Sequence, residues 1–250
     1  LVMLHIVNTR PADRADALTN ALTQAGYKVS CLPLLELVAT PFTAALQQQL
    51  AHIEQADIVV VVSPTAVELG LAYLQQLRIN PVTLKCHWVT VGQGTAEVLL
   101  RAGIDPVIPR IETSEGMLDL AVFQQVSSLN IMFWRGHGGR QLMLQTLQSQ
   151  QHHTMSINLY SRQLPSQSKL RYQQLLNQQP DVLLISSGAS WQHWLELGQQ
   201  YQPILPAYIL VLGKRVQQII QASLAKHLKI KVILLEDLQP ARILNALQHL

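Results

Sequence analysis

Short apolar runs, many of them β-branched, recur along the chain at 4–7, 58–62, 88–91, 129–133, 182–185 and 208–212. Continuous runs of that length read as strands buried on both faces. Between them lie segments whose apolar positions fall near the helical period: 13–25, 43–56, 66–77 and 95–102, then 140–149, 169–177, 190–197, 215–228 and 241–250. Buried strands alternating with helices predict an α/β fold with doubly wound parallel sheets.

The pattern also repeats. Leu4-His5-Ile6-Val7-Asn8-Thr9-Arg10 aligns with Leu129-Asn130-Ile131-Met132-Phe133-Trp134-Arg135 at an offset of 125. Ala56-Asp57-Ile58-Val59-Val60-Val61-Val62-Ser63 aligns with Pro180-Asp181-Val182-Leu183-Leu184-Ile185-Ser186-Ser187 at 124, and Gly92 with Gly213 at 121. Three matches in order predict two copies of one α/β unit. Two similar small domains therefore fit the 250 residues better than one large sheet.

Composition adds exclusions. Charged residues make up 13% of the chain, and 30 glutamines supply much of the polar surface, so charge-driven disorder is excluded. No apolar run is long enough to span a bilayer, and 1–7 lacks the features of a signal peptide. Two cysteines, Cys31 and Cys86, make no disulfide framework and point to a reducing, cytoplasmic setting. The net charge of +3 contains no basic run beyond Lys214-Arg215, which argues against nucleic acid and for a small anionic partner.

The candidate chemistry sits where the predicted strands end: Thr9-Arg10-Pro11, Ser63-Pro64-Thr65, Gly92-Gln93-Gly94-Thr95, Arg135-Gly136-His137-Gly138-Gly139-Arg140, Ser186-Ser187-Gly188 and Gly213-Lys214-Arg215. Ligands of doubly wound sheets bind at these ends. Small, hydroxylic or basic residues opening a helix let an anion approach free N–H groups. Any one of them also reads as an ordinary cap or turn. Six in series predict a ligand with several negative groups.

Other chemistries lack their motifs. Gly92-x-Gly94 meets Glu97 where the dinucleotide fingerprint needs a small residue, and no Walker loop occurs. The nine histidines and two cysteines show no metal-ligand spacing, so no metal is expected. A nucleophile elbow is absent. Acids near strand ends are few, with Glu36 and Glu115 the ones to watch. Little proton chemistry is expected from carboxylates.

Taken in order, Thr9-Arg10-Pro11, Ser63-Pro64-Thr65-Ala66-Val67, Val91-Gly92-Gln93-Gly94-Thr95-Ala96, Thr113-Ser114-Glu115-Gly116, Arg135-Gly136-x-Gly138-Gly139-Arg140 and Tyr160-x-Arg162 make the chain resemble the uroporphyrinogen-III synthases over essentially its whole length. The resemblance implies a discontinuous first domain, 1–34 with 166–250, and a second domain, 42–157. Segments 35–41 and 158–165 would be connecting strands, with the active site in an interdomain cleft. It also implies a cofactor-free reaction. Hydroxymethylbilane, a linear tetrapyrrole with eight carboxylates, loses water to an azafulvene, closes through a spiro intermediate with ring D inverted, and gives uroporphyrinogen III.

Within that resemblance Tyr160 is the catalytic candidate, a phenol able to donate to the departing hydroxyl. Arg10, Arg135 and Arg140 match the basic positions that would pair carboxylates, with Arg162 as a further cation. Ser63, Gly92, Gly94, Thr95, Ser114, Gly136, Ser187 and Gly188 would add backbone or hydroxyl contacts. Gly213-Lys214-Arg215 departs from the hydroxyl-bearing stretch usual in the family, trading a hydroxyl for charge. The implied partners are the polyanionic tetrapyrrole and a handover from hydroxymethylbilane synthase, with a monomer and no membrane. The competing readings are a two-lobed, non-catalytic clamp for a small polyanion and a synthase that has lost activity.

Overall fold

The computed structural model describes residues 3–125, 127–138, 141–225 and 228–250. Among the described residues ten strands form in chain order: β1 His5–Asn8, β2 Lys28–Cys31, β3 Glu36–Ala39, β4 Ile58–Val61, β5 His87–Thr90, β6 Asn130–Gly136, β7 His153–Gln163, β8 Val182–Ile185, β9 Tyr208–Leu212 and β10 Lys231–Leu235. The helices among and after them are α1 Asp16–Gln24, α2 Ala44–Ala51, α3 Pro64–Gln76, α4 Gln93–Arg101, α5 Ser114–Leu118, α6 Leu142–Ser149, α7 Ser168–Leu175, α8 Gly188–Gln200, α9 Lys214–Ser223 and α10 Pro240–Leu247. None of these is long and apolar enough to cross a membrane among the described residues.

The chain divides into two compact units, Leu1–Glu36 with Arg162–Leu250, and Leu37–Ser161. The boundaries fall at the start of β3 and near the end of β7, so residues 158–163 are strand and the two ends of β7 belong to different units.

In the first unit the order is β10-β9-β8-β1-β2, with every neighbouring pair parallel. The central strand β8, Val-Leu-Leu-Ile, is buried throughout because helices cover both sheet faces. Val7, Leu183, Ile185 and Val211 pack on one face with Trp191 and Trp194; Ile6, Val182, Leu184 and Leu210 pack on the other with Leu18 and Ile243. Adjacent residues in each strand thus serve opposite layers.

The second unit has the order β3-β7-β6-β4-β5, with β7, β6, β4 and β5 parallel. Val59, Val61, Trp88 and Trp134 line one face; Ile58, Val60, Val89 and Phe133 line the other. Trp134 packs so closely over Gly70 of α3 that a side chain there would overlap its ring.

The blocks that align in sequence occupy equivalent sheet positions. The neighbours β9-β8-β1-β2 correspond to β5-β4-β6-β7, and the isolated parallel bridge from Val89 to Val107 stands where β10 pairs with β9. The chain order within the units differs. The first unit joins β1 and β2 of one copy to β8, β9 and β10 of the other, and the second unit takes the complementary halves.

Local differences from the sequence pattern have local causes. The helix expected over 215–228 is α9, which ends at Ser223 because Leu224 turns extended and packs, as Ile230 does, against the core. Strands β2 and β10 are sheet edges with partly exposed residues, so neither shows a continuous apolar run.

Candidate functional site

In the second unit the strand ends bring Ser63, Arg135, Gly136 and Tyr160 together. Ser63 follows β4 in extended backbone, with φ −160° and ψ 153°, and caps α3, whose first residue is Pro64. Its Oγ accepts the Ala66 N–H at 3.2 Å, satisfying one donor left free at the helix start. The same oxygen lies 3.0 Å from the Tyr160 Oη.

Tyr160 sits in β7, opposite Gly136 of β6, just past a register shift between Arg135 and Gly136. Its ring covers the Gly136 α-carbon so closely that a Cβ there would lie 2.6 Å from the ring carbons. The tyrosine carbonyl accepts the His137 N–H at 2.8 Å, fixing the strand end. The side chain is 2% exposed, so it is anchored in the core with only its hydroxyl end near the helix start.

Arg135 is 5% exposed, a buried cation at a strand end. Burial lowers its pKa from the ordinary arginine value, and Tyr160 acts in the opposite direction. Arg162 is exposed on β7. Arg140 lies outside the described residues.

At the end of β5, Gly92 caps α4 without a side-chain bond. The sequence reading takes this helix start as an anion site, and the structure places an anion of the protein's own there. Glu112 Oε1 accepts the Gln93 N–H at 2.9 Å, and the carboxylate lies so near Gly92 that a Cβ would overlap it. Glu112 is in the loop before α5, and nothing in its local sequence marks it; the expected acids, Glu36 and Glu115, make no such contact among the described hydrogen bonds. Gly94 has open space around it and Thr95 is buried. Ser114 is the first residue of α5, and Thr113 is its cap, accepting from Gly116 at 3.0 Å.

The first unit presents a second set. After β1, the Thr9 hydroxyl donates to the Leu184 carbonyl and the Arg10 N–H donates to Asn8 Oδ1 at 3.2 Å, which places the half-buried Arg10 at the strand end. Ser187 caps α8 as Ser63 caps α3, with φ −155° and ψ 157°. Its Oγ accepts the Ser190 N–H at 3.1 Å and pairs with the Ser190 hydroxyl at 2.8 Å. Gly188 opens the helix. Gly213 adopts φ +84°, a conformation glycine takes without strain, and directs Lys214 and Arg215, both exposed, into the first turn of α9.

A pocket of about 420 Å³ in this unit is lined by Tyr172, Trp191, Trp194, Pro203 and Leu224 among others, and by none of the candidate site residues. Among the described residues no cluster of three or more His, Cys, Asp or Glu could hold a metal ion.

The sequence profile of the family described as Uroporphyrinogen-III synthase HemD matches residues 16–230. The chain is 32% identical to the uroporphyrinogen-III synthase of Proteus mirabilis over 147 residues, 58% of this chain and 73% of that protein. It is 33% identical to that of Salmonella typhimurium over 147 residues, covering 58% of this chain and 59% of the relative. A solved structure of a mutant uroporphyrinogen III synthase from Thermus thermophilus has a similar fold, with a TM-score of 0.70 at 14% identity and 98% of each chain covered.

Proposed function

The chain belongs to the uroporphyrinogen-III synthase family and catalyses the cyclisation of hydroxymethylbilane to uroporphyrinogen III; we propose how its residues divide that work. The observation that carries the reaction is the family match across residues 16–230, over a fold that ends its parallel strands in caps and cations. Arg10, Lys214 and the backbone donors of Ser187 and Gly188 in the first unit bind carboxylates. Arg135, Gly92, Gly94, Thr95 and Ser114 in the second unit bind the same substrate class, with Ser63 and Gly136 seating the phenol; Arg140 and Arg162 are further cations.

Closure at the hindered carbon of ring D is slow in solution because the free carbon is easier to reach. Holding the carboxylates fixes which carbon faces the azafulvene, so orientation supplies most of the selectivity. Tyr160 gives its phenolic proton to the departing hydroxyl. As the C–O bond breaks, the pyrrole nitrogen pair completes the azafulvene and water leaves. The hindered ring D carbon then bonds to the azafulvene carbon, giving the spiro intermediate. Its older bond to the bridging methylene breaks to form a second azafulvene, the free ring D carbon bonds to that methylene, and the proton this carbon loses returns to the phenolate. No carboxylate is needed for this cycle. The working form is a cytoplasmic monomer receiving its substrate from hydroxymethylbilane synthase.

The test is the decay of freshly generated hydroxymethylbilane with a catalytic amount of protein. The reading predicts decay well above the spontaneous rate, lowered in Tyr160→Phe. Spontaneous-rate decay with tight tetrapyrrole binding would instead identify a clamp.

A further inference from the structure

The two units use one helix cap in two ways. Ser63 and Ser187 align in the repeat, hold nearly the same backbone angles, and each accepts the N–H of the residue three positions on. In the first unit that residue is Ser190, whose hydroxyl pairs with Ser187 at 2.8 Å and engages the cap within its own helix turn. In the second unit it is Ala66, which has no hydroxyl. Ser63 pairs instead with Tyr160, 97 residues away, at 3.0 Å. At an offset of 125 the position matching Tyr160 in the first unit is Leu35, so the serine–phenol pair belongs to one unit only.

A serine hydroxyl has one proton and two lone pairs. One lone pair of Ser63 is taken by the Ala66 N–H, a donor that cannot turn away because the helix fixes it. We propose that Ser63 is a positioning residue that gives its proton to the Tyr160 oxygen, so that the phenol proton points away from Ser63 and toward the departing hydroxyl. The inference rests on the assignment of Tyr160 as proton donor.

In the chemical step the Tyr160 O–H bond breaks, its proton goes to the hydroxymethyl oxygen, and that C–O bond cleaves as the pyrrole nitrogen pair forms the azafulvene. The phenolate then holds one negative charge facing the Ser63 O–H. A hydrogen bond to a charged oxygen is roughly twice as strong as to a neutral one, so Ser63 acts more on the transition state than on the bound substrate. The proton lost at ring closure restores the phenol, and Ser63 ends the cycle unchanged.

Two measurements test this. The first needs no substrate: the C–O stretch of Tyr160 in the free protein, isotopically labelled on tyrosine and assigned by its loss in Tyr160→Phe. A band characteristic of a phenol that accepts a hydrogen bond, lost in Ser63→Ala, is expected; a band of a phenol that only donates overturns the inference. The second is turnover. Ser63→Ala is expected to lower kcat roughly tenfold or more with KM little changed, and to have no further effect in the Tyr160→Phe background. Ser63→Thr, which keeps a donor, recovers most of the loss. Ser63→Asp, which can cap α3 but has no proton to give at neutral pH, does not. An equal loss from Ser63→Ala in both backgrounds, or a rise in KM alone, would make Ser63 a structural cap or a direct substrate contact and overturn the proposal. Failure of the wild-type protein to consume hydroxymethylbilane would overturn the reaction assignment, while the spectroscopic result would still decide the direction of the hydrogen bond.

Discussion

Gly136 has its α-carbon beneath the ring of Tyr160, so a methyl group there must move the phenol or bend β6. Gly136→Ala is expected to cost about 1–3 kcal/mol of stability, the range for overpacking a well-filled site. It should also lower kcat by displacing the hydroxyl from Ser63. Denaturant unfolding and turnover measured together check this, and a fully active, equally stable variant would show that the ring does not need its present place. Glu112 offers the opposite kind of substitution. Its carboxylate occupies the start of α4, where a substrate carboxylate would otherwise bind the Gln93 N–H. Glu112→Gln removes the competing charge, and the apparent KM should fall several-fold with kcat little altered; an unchanged KM would take α4 out of the binding surface. At this scale the sequence is partly legible. The residue types at strand ends suggest anion binding, whereas the Glu112 contact spans 19 positions through α4 and the loop after it, and the Ser63–Tyr160 contact spans 97, distances over which no periodicity carries information.

Among the elements, α9 has a start that runs against its own electrostatics. A helix N-terminus carries partial positive charge and favours acids, yet Lys214 and Arg215 occupy the first turn of α9. A substrate carboxylate at this start would resolve the conflict. Replacing both by Gln is expected to raise stability, by up to about 0.3–1 kcal/mol per charge before screening by solvent, while weakening substrate binding and flattening its salt dependence. Thermal melts and KM at two ionic strengths test the pair of effects; a variant that binds substrate as tightly as the parent would remove α9 from the site. Element identity was legible where burial is complete. The strands β4 and β8 show unbroken apolar runs because both faces are covered, whereas β2 and β10 are edges with mixed exposure and no such signature. The end of α9 was equally hidden, since Leu224 keeps an apolar pattern going after the backbone has left the helix.

For the whole molecule, the repeat in the sequence announces two copies of an α/β unit, but pairwise matching cannot say which half-copies fold together. The topology answers that. Each unit combines the two-strand segment of one copy with the larger segment of the other, so the contacts that build each sheet join residues far apart in the chain. The two units differ in chemistry, with the phenol beside Ser63 in one and the cations of α9 in the other. The central claim is that the protein folds a linear tetrapyrrole so that its hindered carbon closes first. The measurement that tests it most directly is the isomer composition of the product, made from freshly generated hydroxymethylbilane, oxidised to porphyrins and separated by chromatography. The account predicts a predominance of the type III isomer; type I at the proportion of a protein-free control would contradict it.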